Sequence, residues 1–154
     1  MYGVQASVVR PFNVYGPGML PSDFRALPNM ALAIKKNTPL KVYGTGLQTR
    51  TFCYVTDAIA GFLKVLSTDK EASVYNIGNT QPEITMYDLA QIVCELRDFK
   101  AGIEVVPHPT EYPADEPQRR CPDISRAEKE LGFKPIVQLR DGLGRFFDWA
   151  EANY

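Results

Sequence analysis

The chain has 154 residues, enough for one domain with its own hydrophobic core. Its 45% apolar and 23% charged content and its net charge of -1 fit a globular protein and supply no broad basic face for nucleic acid. No apolar run of about 18 residues offers a membrane span, and the start carries no secretory pattern.

Ala6 to Phe12 is mostly apolar without clean alternation, which predicts a strand buried on both faces, as in parallel sheets. A loop follows through Pro21. Phe24 to Lys36 sets Leu27, Met30, Ala31 and Ile34 on one helical face, and Asn37-Thr38-Pro39 stops it. Leu40 to Gly44 and Arg50 to Val55 read as two short strands, with Gly44-Thr45-Gly46 as a hairpin-type turn between them. A helix then starts at Thr56 and Asp57, with Ile59, Phe62, Leu63 and Leu66 as its apolar side.

Ser73 to Gly78 is a further strand. Thr85 to Arg97 is the clearest helix: Thr85 and Asp88 form an acidic capping box, and Leu89, Ile92, Val93 and Leu96 give the stripe. Gly102 to Pro109 is a strand ended by prolines, and Tyr112 to Pro122 is a polar, Pro-rich loop. Ser125 and Glu128 read as a second capping box, with Gly132 at the C′ position of that helix. Leu139 to Tyr154 is a last amphipathic helix with Leu143, Phe146, Phe147 and Ala150 on one side. The alternation of helices and strands predicts an α/β chain, without repeats or an interdomain linker.

The chemistry-bearing residues read plainly at first. Cys53, Cys94 and Cys121 are odd in number and widely spaced, which predicts reduced thiols and a cytoplasmic location. His108 between two prolines reads as a loop residue, and the adjacent Asp115 and Glu116 do not make a glycosidase pair. Arg50, Arg120 and Arg25 are surface charges or anion ligands. Asn13 is a turn former before Gly16-Pro17 or a ligand contact. One oddity stands out: the apolar strand at Ala6 to Phe12 needs neighbours and covering helices, and the rest of the chain offers it few.

Four stretches in order, VVRPFNVYGPGM, PLKVYGTGLQTRTFCYVTDAI, VYNIGN and EPQRRCPDISRAEKELGFKP, carry a resemblance that spans essentially the whole chain. The sequence resembles the C-terminal half of an extended short-chain dehydrogenase of the NAD-dependent epimerase/dehydratase family. Asp23-Phe24-Arg25 and the run ending in Pro122-Asp123 are similar to its UDP-glucuronate decarboxylases and related UDP-sugar epimerases. The resemblance implies that residues 1–154 form a single piece, in which the last strands of a Rossmann-type sheet interleave with a small mixed α/β substrate lobe. It implies an N-terminal NAD-binding half outside this sequence.

The resemblance also implies a function: the nucleotide-sugar-binding portion of an enzyme that uses NAD and reacts through a 4-keto intermediate. Tyr-x-x-x-Lys and a Gly-rich turn between strand and helix are both missing here, so no catalytic residue is assigned to this chain and it is expected to be inactive alone. By the same likeness, Arg50 and Arg120 would hold the pyrophosphate of a UDP-sugar, and Asp123 the ribose hydroxyls. Asn13 would lie near the diphosphate, Arg25 would line the substrate site, Tyr43 would wall the base, and Pro11 would pack against the nicotinamide. No metal is implied. Unpartnered strands predict self-association through open sheet edges. A non-enzymatic nucleotide-sugar-binding or partner-binding module is the alternative.

Overall fold

Local chemistry sets some element ends. A computed structural model describes residues 6–70, 72–109 and 117–154. Its elements in chain order are β1 (Val8–Pro11), β2 (Val14–Tyr15), α1 (Ala26–Lys36), β3 (Leu40–Tyr43), β4 (Thr49–Arg50), β5 (Cys53–Tyr54) and α2 (Val55–Leu66). They continue as β6 (Val74–Ile77), β7 (Ile84–Thr85), α3 (Met86–Leu96), β8 (Ile103–Val106), β9 (Arg119–Arg120), α4 (Ser125–Leu131) and α5 (Leu139–Asn153). The architecture is α/β, as predicted. Thr85 caps α3 as its sequence says, its Oγ1 accepting from the Asp88 amide at 3.0 Å. Gly132 ends α4 at φ 59°, a left-handed position that suits glycine.

The strands sort into small sheets. β1 pairs with β6, β2 with β5, and β3 with β8, all in parallel. The fourth sheet has the order β7-β4-β9. Two cores hold these pieces. The larger lies among α1, β3, α3 and α5 and contains Leu27, Met30, Leu40, Leu89, Leu143 and Phe146. The smaller gathers Ala58 and Val65 of α2, Tyr75 and Ile77 of β6, and Phe133. Asp57, buried in the first turn of α2, accepts from the amides of Ile136 and Val137 at 3.0 and 2.9 Å and so ties α2 to the chain leading into α5.

Four sequence expectations are corrected. β1 is not buried on both faces: Val8 is 52% exposed, because among the described residues β1 has one neighbour strand. The apolar side predicted for α2 is outside. Ile59, Phe62, Leu63 and Leu66 are exposed, and the helix packs through Asp57, Ala58, Gly61 and Val65. The reason is close approach. A Cβ on Gly61 would stand 2.6 Å from Ile77 Cγ2, so only a small-residue face fits there.

Gly44-Thr45-Gly46 does not close a hairpin. β3 pairs with β8, whereas β4 lies between β7 and β9, so the turn passes the chain from one sheet to another. Ser125 is already helical and is not a cap. Asp123 performs that service, its Oδ1 accepting from the Ser125 amide at 2.9 Å. Asp115, Glu116 and part of the Pro-rich loop lie outside the described residues. Among the described residues no helix is long and apolar enough to cross a membrane.

Candidate functional site

The sheet β7-β4-β9 brings Arg50 and Arg120 together. β4 and β9 run parallel with Thr49 opposite Arg119 and Arg50 opposite Arg120. Residues opposite each other in a parallel pair share a face, on strands about 4.8 Å apart. The two arginines are therefore side by side, although 70 positions separate them in the chain. Arg50 is 6% exposed, with Nη1 donating to its neighbour's Thr49 carbonyl at 2.8 Å, while Arg120 is exposed. One cation is buried and the other exposed. Paired guanidinium groups on one face suit an anion with two charged centres, because each can bond phosphate oxygens bidentately.

Asn13 joins this pair. It turns the chain between β1 and β2 at φ 43°, and its Nδ2 donates to the Thr51 carbonyl at 2.7 Å. The Asn13 carbonyl accepts from the Cys53 amide at 3.2 Å. The first bond holds the side-chain amide against the backbone one residue after Arg50 and uses one of its two N–H donors. Thr51 is a group that sequence reasoning missed. Its hydroxyl is fully buried and has no hydrogen-bond partner among the described residues. Nothing in a threonine beside an arginine signals this, since it depends on packing from three strands.

Asp123 lies three residues beyond Arg120 and is exposed. Hydrogen bonds from Ser125 hold its carboxyl below the usual range. It is an ionised, acceptor-only group able to take hydroxyl donors. Tyr43 connects through its carbonyl, which accepts from Gln48 Nε2 at 2.9 Å, two residues before Arg50. Its ring stacks on His108 with centroids 6.3 Å apart. The His108 ring also occupies the space beside Gly44, where an added Cβ would lie 2.4 Å from Nε2. So His108 has packing work that its place between prolines did not reveal.

Arg25 stands apart from the arginine pair. It is ion-paired with Asp23, and its Nη1 donates to the Val14 carbonyl at 3.4 Å. That pairing lowers the Asp23 pKa. Arg25 lines a groove of about 260 Å³ with Val14, Gly16, Pro17 and Met19. A larger, shallow cleft of about 510 Å³ lies elsewhere, among Asn79, Gln81, Glu128, Lys134 and Gln138, and contains none of the predicted site residues. It carries one cation, Lys134, and one carboxylate, Glu128, where the sheet has two cations in register.

Pro11 ends β1 opposite Ile77 and is exposed. It offers an apolar surface and little else. Among the described residues no cluster of His, Cys, Asp and Glu could hold a metal ion.

Comparison with known proteins gives the family. The chain is 40% identical over 143 residues to UDP-glucuronic acid decarboxylase 1 of Arabidopsis thaliana, covering 93% of this chain and 32% of that protein. It superposes on UDP-glucuronic acid 4-epimerase from Bacillus cereus, solved with UDP-glucuronic acid and NAD, with a TM-score of 0.85 and 30% identity. The match covers 96% of this chain and 46% of that one. A dTDP-glucose 4,6-dehydratase from Streptomyces venezuelae, solved with NAD, gives a TM-score of 0.86 at 26% identity over 99% of this chain and 45% of that one. The chain thus spans about a third to just under a half of the length of these relatives. The model of the NAD dependent epimerase/dehydratase family matches residues 1–78, half of the sequence, and the chain belongs to that family.

Proposed function

We propose that this chain is the nucleotide-sugar-binding portion of an NAD-dependent epimerase, dehydratase or decarboxylase, most like the UDP-glucuronate decarboxylases. The observation that carries the reading is the register of β4 against β9, which sets Arg50 and Arg120 side by side. They would take the diphosphate of a UDP-sugar, with Asn13 beside them and Asp123 receiving the ribose hydroxyls. Tyr43 would wall the base, Arg25 would reach the sugar from the β2 groove, and Pro11 would give the nicotinamide an apolar wall. The 4-keto chemistry belongs to NAD and to groups outside these residues; this chain binds and orients. A domain carrying NAD would add its sheet to the open edge of β1. Without it, that edge and the bare side of α2 drive self-association. Unpaired Cys53, Cys94 and Cys121 suit a reducing cytoplasm.

Calorimetric titration tests the reading. UDP should bind, and uridine should bind at least about tenfold more weakly, since charged hydrogen bonds contribute about 1.5–3 kcal/mol each. Arg50→Ala or Arg120→Ala should remove that preference. Equal affinity for UDP and uridine would refute the diphosphate assignment. With UDP-glucuronate and NAD supplied, the chain alone should give no turnover, since its sequence lacks Tyr-x-x-x-Lys.

A further inference from the structure

The face of β7-β4-β9 opposite the two arginines is also organised. Glu83, immediately before β7, reaches across the middle strand. Its Oε1 accepts from Thr49 Oγ1 at 2.6 Å and from Arg119 Nε at 2.9 Å, and its Oε2 accepts from Arg119 Nη2 at 2.8 Å. One carboxylate, carried by the residue that leads into β7, thus bonds to both β4 and β9. Its bonds to Arg119 and then to Thr49 hold Glu83 below the usual carboxylate range, so it stays ionised.

We propose that Glu83, Thr49 and Arg119 form a register clamp whose task is to keep Arg50 and Arg120 on one face. β4 and β9 are two residues long, and the bonds across their ends run from Thr49 N to Gln118 O at 2.8 Å and from Thr51 N to Arg120 O at 3.4 Å. So short a ladder fixes register weakly. A slip of one residue would turn Arg120 to the opposite face from Arg50. It would also pull Arg119 off Glu83, so the clamp penalises the slip that would dismantle the cation pair. The adjacent arginines therefore divide the labour. Arg119 is bound in a two-pronged pair with Glu83, and Arg120 is left to the ligand side. Glu83, Thr49 and Arg119 are positioning residues acting through Arg50 and Arg120, and this part rests on the nucleotide reading above.

Amide hydrogen exchange on the whole chain, combined with UDP titration, separates the roles. Glu83→Ala and Arg119→Ala should speed exchange of the Thr49 and Thr51 amides about tenfold or more, with the Val8 and Phe12 amides of the β1–β6 pair unchanged. Glu83→Gln keeps an acceptor for Thr49 and loses the charge, so it should give a smaller rise. Arg120→Ala should leave exchange at Thr49 unaltered. All of these variants should weaken UDP several-fold. Unchanged exchange at Thr49 and Thr51 in both alanine clamp variants would overturn the clamp. Faster exchange with unaltered UDP affinity would overturn its role in binding. Failure of the unaltered protein to bind UDP would overturn the nucleotide reading, and exchange would still decide the clamp.

Discussion

The core among α1, β3, α3 and α5 and the core beneath α2 and β6 come from one chain but differ in closure. In the first, Leu40, Leu89, Leu143 and Phe146 are wholly removed from water, with helices on several sides. In the second, Tyr75 and Ile77 are as deeply buried, yet Val8, Ile59, Leu63 and Leu66 nearby in the fold stay exposed. The first is a finished lobe. The second is a parallel pair with one covered face, a state that parallel sheets rarely keep. The arginine-bearing sheet β7-β4-β9 hangs on the finished side through β7, which leads directly into α3. The sheet that carries Arg50 and Arg120 is thus joined to the more fully closed core.

Matched substitutions test that contrast, and the largest effect belongs to the closed core. Phe146→Ala should lower unfolding stability by about 3–5 kcal/mol in urea. Phe62→Ala, at a side chain 38% exposed, should change it by about 0.5 kcal/mol or less and reduce self-association in sedimentation. Equal costs would erase the distinction between the cores.

Next in size is Asp57, the link between them. Asp57→Ala leaves the Ile136 and Val137 amides without their acceptor and should cost roughly 2–3 kcal/mol. It should also split one urea transition into two, whereas a single unshifted transition would show that the cores do not communicate through this residue.

The smallest effect concerns Cys53 in the second core. Burial first, and then the neighbouring Asp57, push its thiol up to about 12. The folded pKa lies above the unfolded value of about 8.5. Its contribution to stability is therefore complete below about pH 8.5 and is lost as pH rises toward 12. Cys53 should be labelled last of the three thiols at pH 8, as read by mass spectrometry, and melting temperature should fall above about pH 9. Labelling of Cys53 as fast as Cys121 would mean that the smaller core opens freely.

The sequence made the finished lobe legible. Leu27 and Met30 of α1, the Thr85 cap and the Leu143–Phe146 stripe follow local rules, and each lies where its spacing says. The open lobe misled those rules. An apolar stripe normally points inward, but in α2 the close contact of Gly61 with Ile77 turns the stripe of Ile59, Phe62 and Leu66 outward. β1 reads as doubly buried because its run is mostly apolar, but among the described residues it pairs with β6 alone and Val8 is exposed. The site was legible only through resemblance. Arg50 and Arg120 meet through strand pairing across 70 positions, which no periodicity encodes. Glu83 was missed for the same reason, as Arg119 lies 36 positions away.

The most direct test of the paired-arginine site is a crystal structure of the chain with UDP bound. The account predicts diphosphate oxygens within hydrogen-bonding distance of the Arg50 and Arg120 guanidinium groups, with Asn13 beside them. A diphosphate seated instead in the cleft of Lys134 and Gln138, with both arginines untouched, would contradict it.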